Sequence, residues 1–114
     1  MTAIDEIAFA RELGMDVVVI DHHPPLESLR LPNANAIVDP HVPGSCATFD
    51  GHPLCAAGLA FLVCMALRKS LRERGAFTSR PEPRLRDYLD LTALGTIADV
   101  VPLTGVNRVL VRHG

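Results

Sequence analysis

The feature that most constrains the fold is a run of four apolar residues, Val17-Val18-Val19-Ile20, closed at once by Asp21-His22-His23. A short unbroken apolar run of this kind reads as a buried strand of a parallel sheet. Ligands of open α/β sheets collect outside the carboxyl ends of the strands, which is where Asp21, His22 and His23 would emerge. Carboxylate and imidazole together suit a divalent metal such as Mn²⁺ or Zn²⁺. The plain alternative is a polar turn, which Pro24-Pro25 immediately behind would favour. The triplet alone leaves both readings open.

Around this strand the pattern alternates. Thr2 can cap a helix with Asp5 and Glu6 in its first turn, Ala3, Ile7, Ala10 and Leu13 on one face, and Gly14 as terminator. The strand over 16–20 follows, then a Pro-rich connection and a second apolar run over 34–38, closed by Asp39-Pro40. Residues 39–53 hold Pro, Gly, Ser, Asp and two His, and read as an exposed loop. A strong helix is expected over 54–74, with Arg68, Lys69 and Arg72 near its C-terminus, where the dipole favours cations. Gly75, Pro81 and Pro83 mark a break over 75–83, the one candidate linker. A further helix is expected from near Arg84, turning Leu85, Tyr88, Leu89, Thr92 and Ala93 inward and reaching toward Asp99; a last short one follows Gly105.

Helix, strand, strand and a helical C-terminal half suggest an α/β fold. At 114 residues the chain fits one small domain. Two strands make a poor sheet on their own, so the reading is an incomplete domain, part of a doubly wound, mainly parallel sheet flanked by helices. Its missing strands would lie before Met1. With 48% apolar residues but no Trp and one Tyr, the core must be aliphatic.

A net charge of −2 gives no global basic field that would advertise nucleic acid. Seven of the eleven basic residues fall between Arg68 and Arg86. That stretch could face phosphates, although a solvated helix and loop accounts for it more simply. Cys46, Cys55 and Cys64 contain no Cys-x-x-Cys pair and cannot all pair with one another, which suggests a reducing cytosol. Cys55 and Cys64 sit in an apolar segment, as small hydrophobes do. The longest apolar stretch, 54–67, is too short for a membrane span, and no signal-peptide flanks accompany it. A soluble cytoplasmic protein with no membrane partner is expected.

A second chemical signal lies in Gly95-Thr96-Ile97-Ala98-Asp99-Val100-Val101-Pro102-Leu103. A lone Asp in an apolar stretch is costly to bury unless paired, hydrogen-bonded or bound to metal. Asp99 could cap a helix end or an adjacent turn, or it could be a metal ligand.

Three elements, Asp21-His22-His23-Pro24, Asn35-Ala36-Ile37-Val38-Asp39-Pro40, and residues 95–103 followed by Asn107-Arg108-Val109-Leu110, resemble in order and spacing the DHH phosphoesterase superfamily, most closely its RecJ-type single-stranded-DNA exonuclease branch. The resemblance covers essentially the whole chain. It implies a two-metal phosphodiesterase, with Mn²⁺ or Mg²⁺ clamping the attacking and leaving oxygens of an in-line displacement, and degradation of single-stranded DNA from its 5′ end. On this resemblance His22 and Asp99 are metal ligands, and Asp21 sits in or just behind the ligand shell, orienting His22. His23 donates to the scissile phosphate. Arg108 contacts DNA phosphate or makes an ion pair within the chain. DNA repair and recombination would be the setting, with single-stranded-DNA-binding protein and other repair proteins as partners.

The departures from the family pattern are as informative. The Asp-x-Asp motif and the Asp-Asn-Gly or Asp-Cys-Gly motif, which supply about half the metal carboxylates, are absent from this sequence, as are the C-terminal nucleic-acid-binding and OB-type domains. The chain therefore reads as residues 1–114 of a partial DHH domain, expected to be inactive alone. One alternative is an inactive truncated binding or interaction module. Another is a DHH phosphodiesterase acting on small nucleotides, which Val100-Val101-Pro102 disfavours, since those branches usually carry Asp-Thr there. His41, His52 and the three cysteines receive no role.

Overall fold

The computed structural model describes residues 3–25, 30–45 and 53–114. The chain divides into two units, Met1–Pro53 and Leu54–Gly114.

The first unit begins with α1 (Ile4–Glu12), which has Asp5 and Glu6 in its first turn and Arg11 in its last. Each charge sits at the end where the helix dipole stabilises it. The helix stops at Gly14, whose φ of 79° would strain an L side chain. Met15 N then donates to the Ala10 carbonyl at 3.1 Å, closing the terminus as the sequence predicts. Ile4, Ile7, Ala8, Ala10 and Arg11 form the half-buried face, while Ala3 and Leu13, expected on it, are exposed. Thr2, the expected cap, lies outside the described residues.

Two short strands follow. β1 (Val18–Ile20) and β2 (Ala36–Val38) pair in parallel, Val18 opposite Ala36, Val19 opposite Ile37 and Ile20 opposite Val38. β1 begins one residue and β2 two residues later than its apolar run, for a specific reason. The Val17 amide donates to the Asn35 side chain (Oδ1, 2.7 Å) instead of to a backbone carbonyl. Asn35 Nδ2 in turn donates to Asp16 Oδ1 at 2.8 Å. Arg11 reaches Asn35 Oδ1 at 2.7 Å and Asp16 Oδ1 at 3.2 Å. A polar clamp thus ties α1 to the amino ends of both strands.

The expectation of a fully buried β1 is corrected here. Val18 is 58% exposed, and Val19 and Ile20 are half-buried, because two strands and one helix offer too little apolar surface to cover both faces. The observed architecture is α/β with a two-stranded parallel sheet among the described residues.

The second unit is helical. α2 (Ala56–Glu73) is capped by the buried Cys55, whose Sγ accepts from the Gly58 amide at 3.4 Å. It ends at Gly75, in the left-handed region with φ 72°. The 75–83 stretch lies inside this unit and is pinned back onto α2. The Glu82 carboxylate pairs bidentately with Arg72 and lies 3.3 Å from Arg68, and the Pro83 carbonyl accepts from Arg68 at 3.2 Å. A 3₁₀ turn over Leu85–Tyr88 leads into α3 (Leu89–Ala98), and α4 (Gly105–His113) completes the unit.

Leu54, Cys55, Leu59, Ala93 and Leu110 form its buried apolar core, with Thr92, Thr96 and Asn107 also buried. Full burial of a leucine side chain contributes roughly 1.5–3 kcal/mol. α2 and α3 cross closely. A Cβ built on Gly95 would stand 2.6 Å from the Ala57 Cβ, so position 95 admits no side chain without the helices moving apart. The buried hydroxyl of Thr96 returns its hydrogen bond to the Thr92 carbonyl at 2.7 Å. Of the residues expected inward, Thr92 and Ala93 are buried and Leu85 and Leu89 half-buried, but Tyr88 is exposed. Its position on the 3₁₀ turn, where the angular step per residue is larger, takes it off the face that α3 continues.

Candidate functional site

The ladder between β1 and β2 runs one residue beyond the strands, since the Asp21 amide donates to the Val38 carbonyl at 3.1 Å. Asp21 is therefore held level with the carboxyl end of the sheet. Its Oδ1 gathers three N–H donors: the His22 amide at 2.8 Å, the His23 amide at 3.2 Å and the His23 ring Nδ1 at 2.7 Å. Partial burial opposes ionisation of this carboxyl. The His23 ring and the two amides favour the ionised form, and Asp21 is held well below the usual carboxylate range.

The imidazole that Asp21 orients is that of His23; His22 meets the same oxygen through its backbone. The two rings lie 4.3 Å apart between centroids and are tilted by 50°. Because His23 Nδ1 donates to Asp21, its Nε2 is the nitrogen left for a ligand. His22 is half-buried and His23 exposed.

In the second unit, Asp99 is the C-cap residue of α3. The expectation of a carboxylate buried in an apolar stretch is corrected: Asp99 is exposed, as are Ile97, Ala98, Val100 and Leu103. A helix C-terminus presents carbonyls, which a carboxylate cannot satisfy, and carries the negative end of the dipole. The side chain is therefore not there to cap α3. The N-cap of α4 is Thr104. Val100 follows with φ 57°, a left-handed conformation that a β-branched residue rarely adopts. Strain of this kind persists where neighbouring structure enforces it, and it clusters at functional sites.

Arg108 lies exposed on α4, and among the described residues it forms no ion pair. Part of the Arg-rich stretch is engaged within the unit, with Arg68 and Arg72 on Glu82, Lys69 near Glu73, and Arg80 over the Phe77 ring. This favours the solvated-helix reading of that stretch. Cys55 and Cys64 are free thiols, the first buried and the second exposed, contrary to the apolar setting expected for Cys64. Cys46 and His52 lie outside the described residues. No helix is long and apolar enough to cross a membrane among the described residues.

Sequence reasoning passed over one buried group. Residues 39–53 read as an exposed loop, yet Asp39 is 1% exposed. Its Oδ1 accepts from the His41 amide at 2.8 Å and from His41 Nδ1 at 3.3 Å. The signal was present in the spacing, since Asp39-x-His41 repeats Asp21-x-His23. Among the described residues, no group of three or more His, Cys, Asp or Glu is arranged to hold a metal ion. The donors described do not by themselves fit a metal centre.

The chain belongs to the DHH family: the family's N-terminal domain matches residues 1–96. Within that family its likeness is to the RecJ type. It is 46% identical over 114 residues to the "Single-stranded-DNA-specific exonuclease RecJ" of Haemophilus influenzae, covering 100% of this chain and 19% of that protein. The Escherichia coli protein of the same name is 44% identical over 110 residues, covering 95% of this chain and 18% of that one. The Bacillus subtilis one is 38% identical over 114 residues, covering 100% and 12%. The chain thus spans less than a fifth of the length of these relatives. No solved structure matches it.

Proposed function

We propose that this chain is part of the catalytic domain of a RecJ-type exonuclease, one that hydrolyses phosphodiesters of single-stranded DNA from the 5′ end. The observation that carries this reading is the Asp21-His22-His23 turn, fixed by three hydrogen bonds at the carboxyl end of a parallel strand. That is the edge where α/β sheets bind ligands. The names of the RecJ relatives supply the substrate.

In the whole protein β1 and β2 would belong to a doubly wound sheet. Mn²⁺ or Mg²⁺, when bound, would supply Lewis-acid stabilisation of the reacting phosphoryl oxygens. His22 and Asp99 are ligands this chain would offer, with further carboxylates completing the set. Asp21 holds the His23 ring by Nδ1, so that in the imidazolium form Nε2–H donates to a phosphate oxygen, and Arg108 adds a positive charge for the strand. The setting would be cytoplasmic DNA repair and recombination, alongside single-stranded-DNA-binding protein.

The test is an assay of the protein as its gene encodes it on end-labelled single-stranded DNA, duplex DNA, pyrophosphate and dinucleotides. Mn²⁺-dependent release of mononucleotides from the 5′ end of single strands is expected. Hydrolysis of pyrophosphate or dinucleotides with single strands untouched would refute the proposal. Residues 1–114 alone should show no Mn²⁺-dependent nuclease activity. Turnover by that polypeptide, lost on Asp99→Ala, would show instead that its own donors suffice.

A further inference from the structure

β1 and β2 end in the same local structure. Asp21 follows Ile20 and Asp39 follows Val38, and Ile20 and Val38 are register partners. In each turn the aspartate Oδ1 accepts from the amide two residues on and from that residue's ring Nδ1, at 3.2 and 2.7 Å for His23 and at 2.8 and 3.3 Å for His41. Each imidazole is thereby held by its Nδ1 and keeps Nε2 for a ligand. Adjacent strands of a sheet stand about 4.8 Å apart, so the two turns lie side by side on one edge.

They differ in burial. The Asp39 side chain is fully buried whereas the His41 side chain is 39% exposed. Asp39 Oδ2 is buried and has no hydrogen-bond partner among the described residues. A buried carboxylate with an unpartnered oxygen is costly, more than the closing of a loop requires. The other oxygen, Oδ1, holds His41, in the turn that follows the carboxyl end of β2.

We propose that His41 is a second phosphate-contacting imidazole beside His23, with Asp39 as its positioning residue, and that both rings engage the phosphodiester backbone of one bound strand. This rests on the phosphodiesterase reading above. His23 then serves the reacting phosphate and His41 a neighbouring position on the same strand. Asp39 touches no substrate; it fixes which nitrogen of His41 is presented.

The test uses the protein as its gene encodes it, with two readouts: steady-state cleavage of a single-stranded oligonucleotide in Mn²⁺, and equilibrium binding of that oligonucleotide in Ca²⁺. His41→Ala should raise KM and weaken binding by about tenfold, as expected for one charge-assisted contact, with kcat and the thermal midpoint little changed. His41→Gln, which keeps a donor, should recover part of the loss. Asp39→Asn should weaken binding, and adding it to His41→Ala should weaken it no further. Cleavage and binding by His41→Ala within about twofold of wild type would overturn the inference, as would additive losses in the double variant. If Asp39→Asn fails to fold, the contrast between His41→Ala and His41→Gln decides. A wild-type protein that neither binds nor cleaves single strands would sink the phosphodiesterase reading and this inference together. A wild-type protein that does both, unaffected at His41, would sink this inference alone.

Discussion

Asp21 and Asp99 are held in opposite ways. Asp21 sits in a turn that its own side chain builds, with three N–H groups converging on one oxygen. Asp99 is the C-cap residue of α3; it stands at the unfavourable end of the helix dipole, followed by a valine with positive φ. The first carboxylate stabilises the structure around it, whereas the second is carried by the structure behind it. Removing them should therefore produce different symptoms.

The largest effect is expected where the support of Asp99 is removed from behind. Leu110→Ala empties a buried position beside Gly58 on α2 and should cost about 3 kcal/mol in urea unfolding followed by helical circular dichroism. A loss under about 1 kcal/mol would show that this core does not set the Asp99 turn. Asp99→Ala itself should leave that unfolding curve in place and lower kcat of the whole protein by about 100-fold. An equal fall in stability would make Asp99 a structural residue like Asp21.

Asp21→Asn should do the reverse on stability, costing about 1–2 kcal/mol because charge-assisted bonds are lost. The pH dependence follows from the same carboxyl. Its folded-state value lies below its unfolded one, so its contribution is complete above the ordinary carboxylate value of about 3.9. It drains as pH falls through that value toward the lower folded one. Thermal midpoints of wild type and Asp21→Asn should therefore converge on acidification; a constant gap down to the lowest pH would refute the assignment. The smallest effect is expected at Val100→Gly, which relieves the left-handed strain and should raise stability by about 1 kcal/mol. A loss of activity in that variant would show that the strained turn also aims Asp99.

The sequence was readable where local periodicity and end signals agree. Gly14 and Gly75 stop their helices as expected, and the apolar content over 54–74 becomes α2. The parallel pairing of the two apolar runs follows the same logic. What escaped reading depends on partners distant in sequence. The strands start late because Asn35 answers Val17 through its side chain, which no window around either run displays. Asp39 is buried in a segment whose Pro and Gly content says loop, because register with β1 and not composition fixes its depth. Asp99 was read as buried from its apolar neighbours, yet those neighbours are themselves exposed at the end of α3. In the site, that Asp21 Oδ1 takes the His23 ring Nδ1 required coordinates.

The sulfur cap of α2 has a kinetic consequence. Cys55 is sealed at 1% exposure and bonded to Gly58 and Thr96, whereas Cys64, nine residues along the same helix, is open to solvent. A thiol reagent should modify Cys64 at nearly the rate of a free cysteine and Cys55 only during transient opening of the helix start. The ratio of the two rates would then report how often the amino end of α2 breathes, with the reference built into the same molecule.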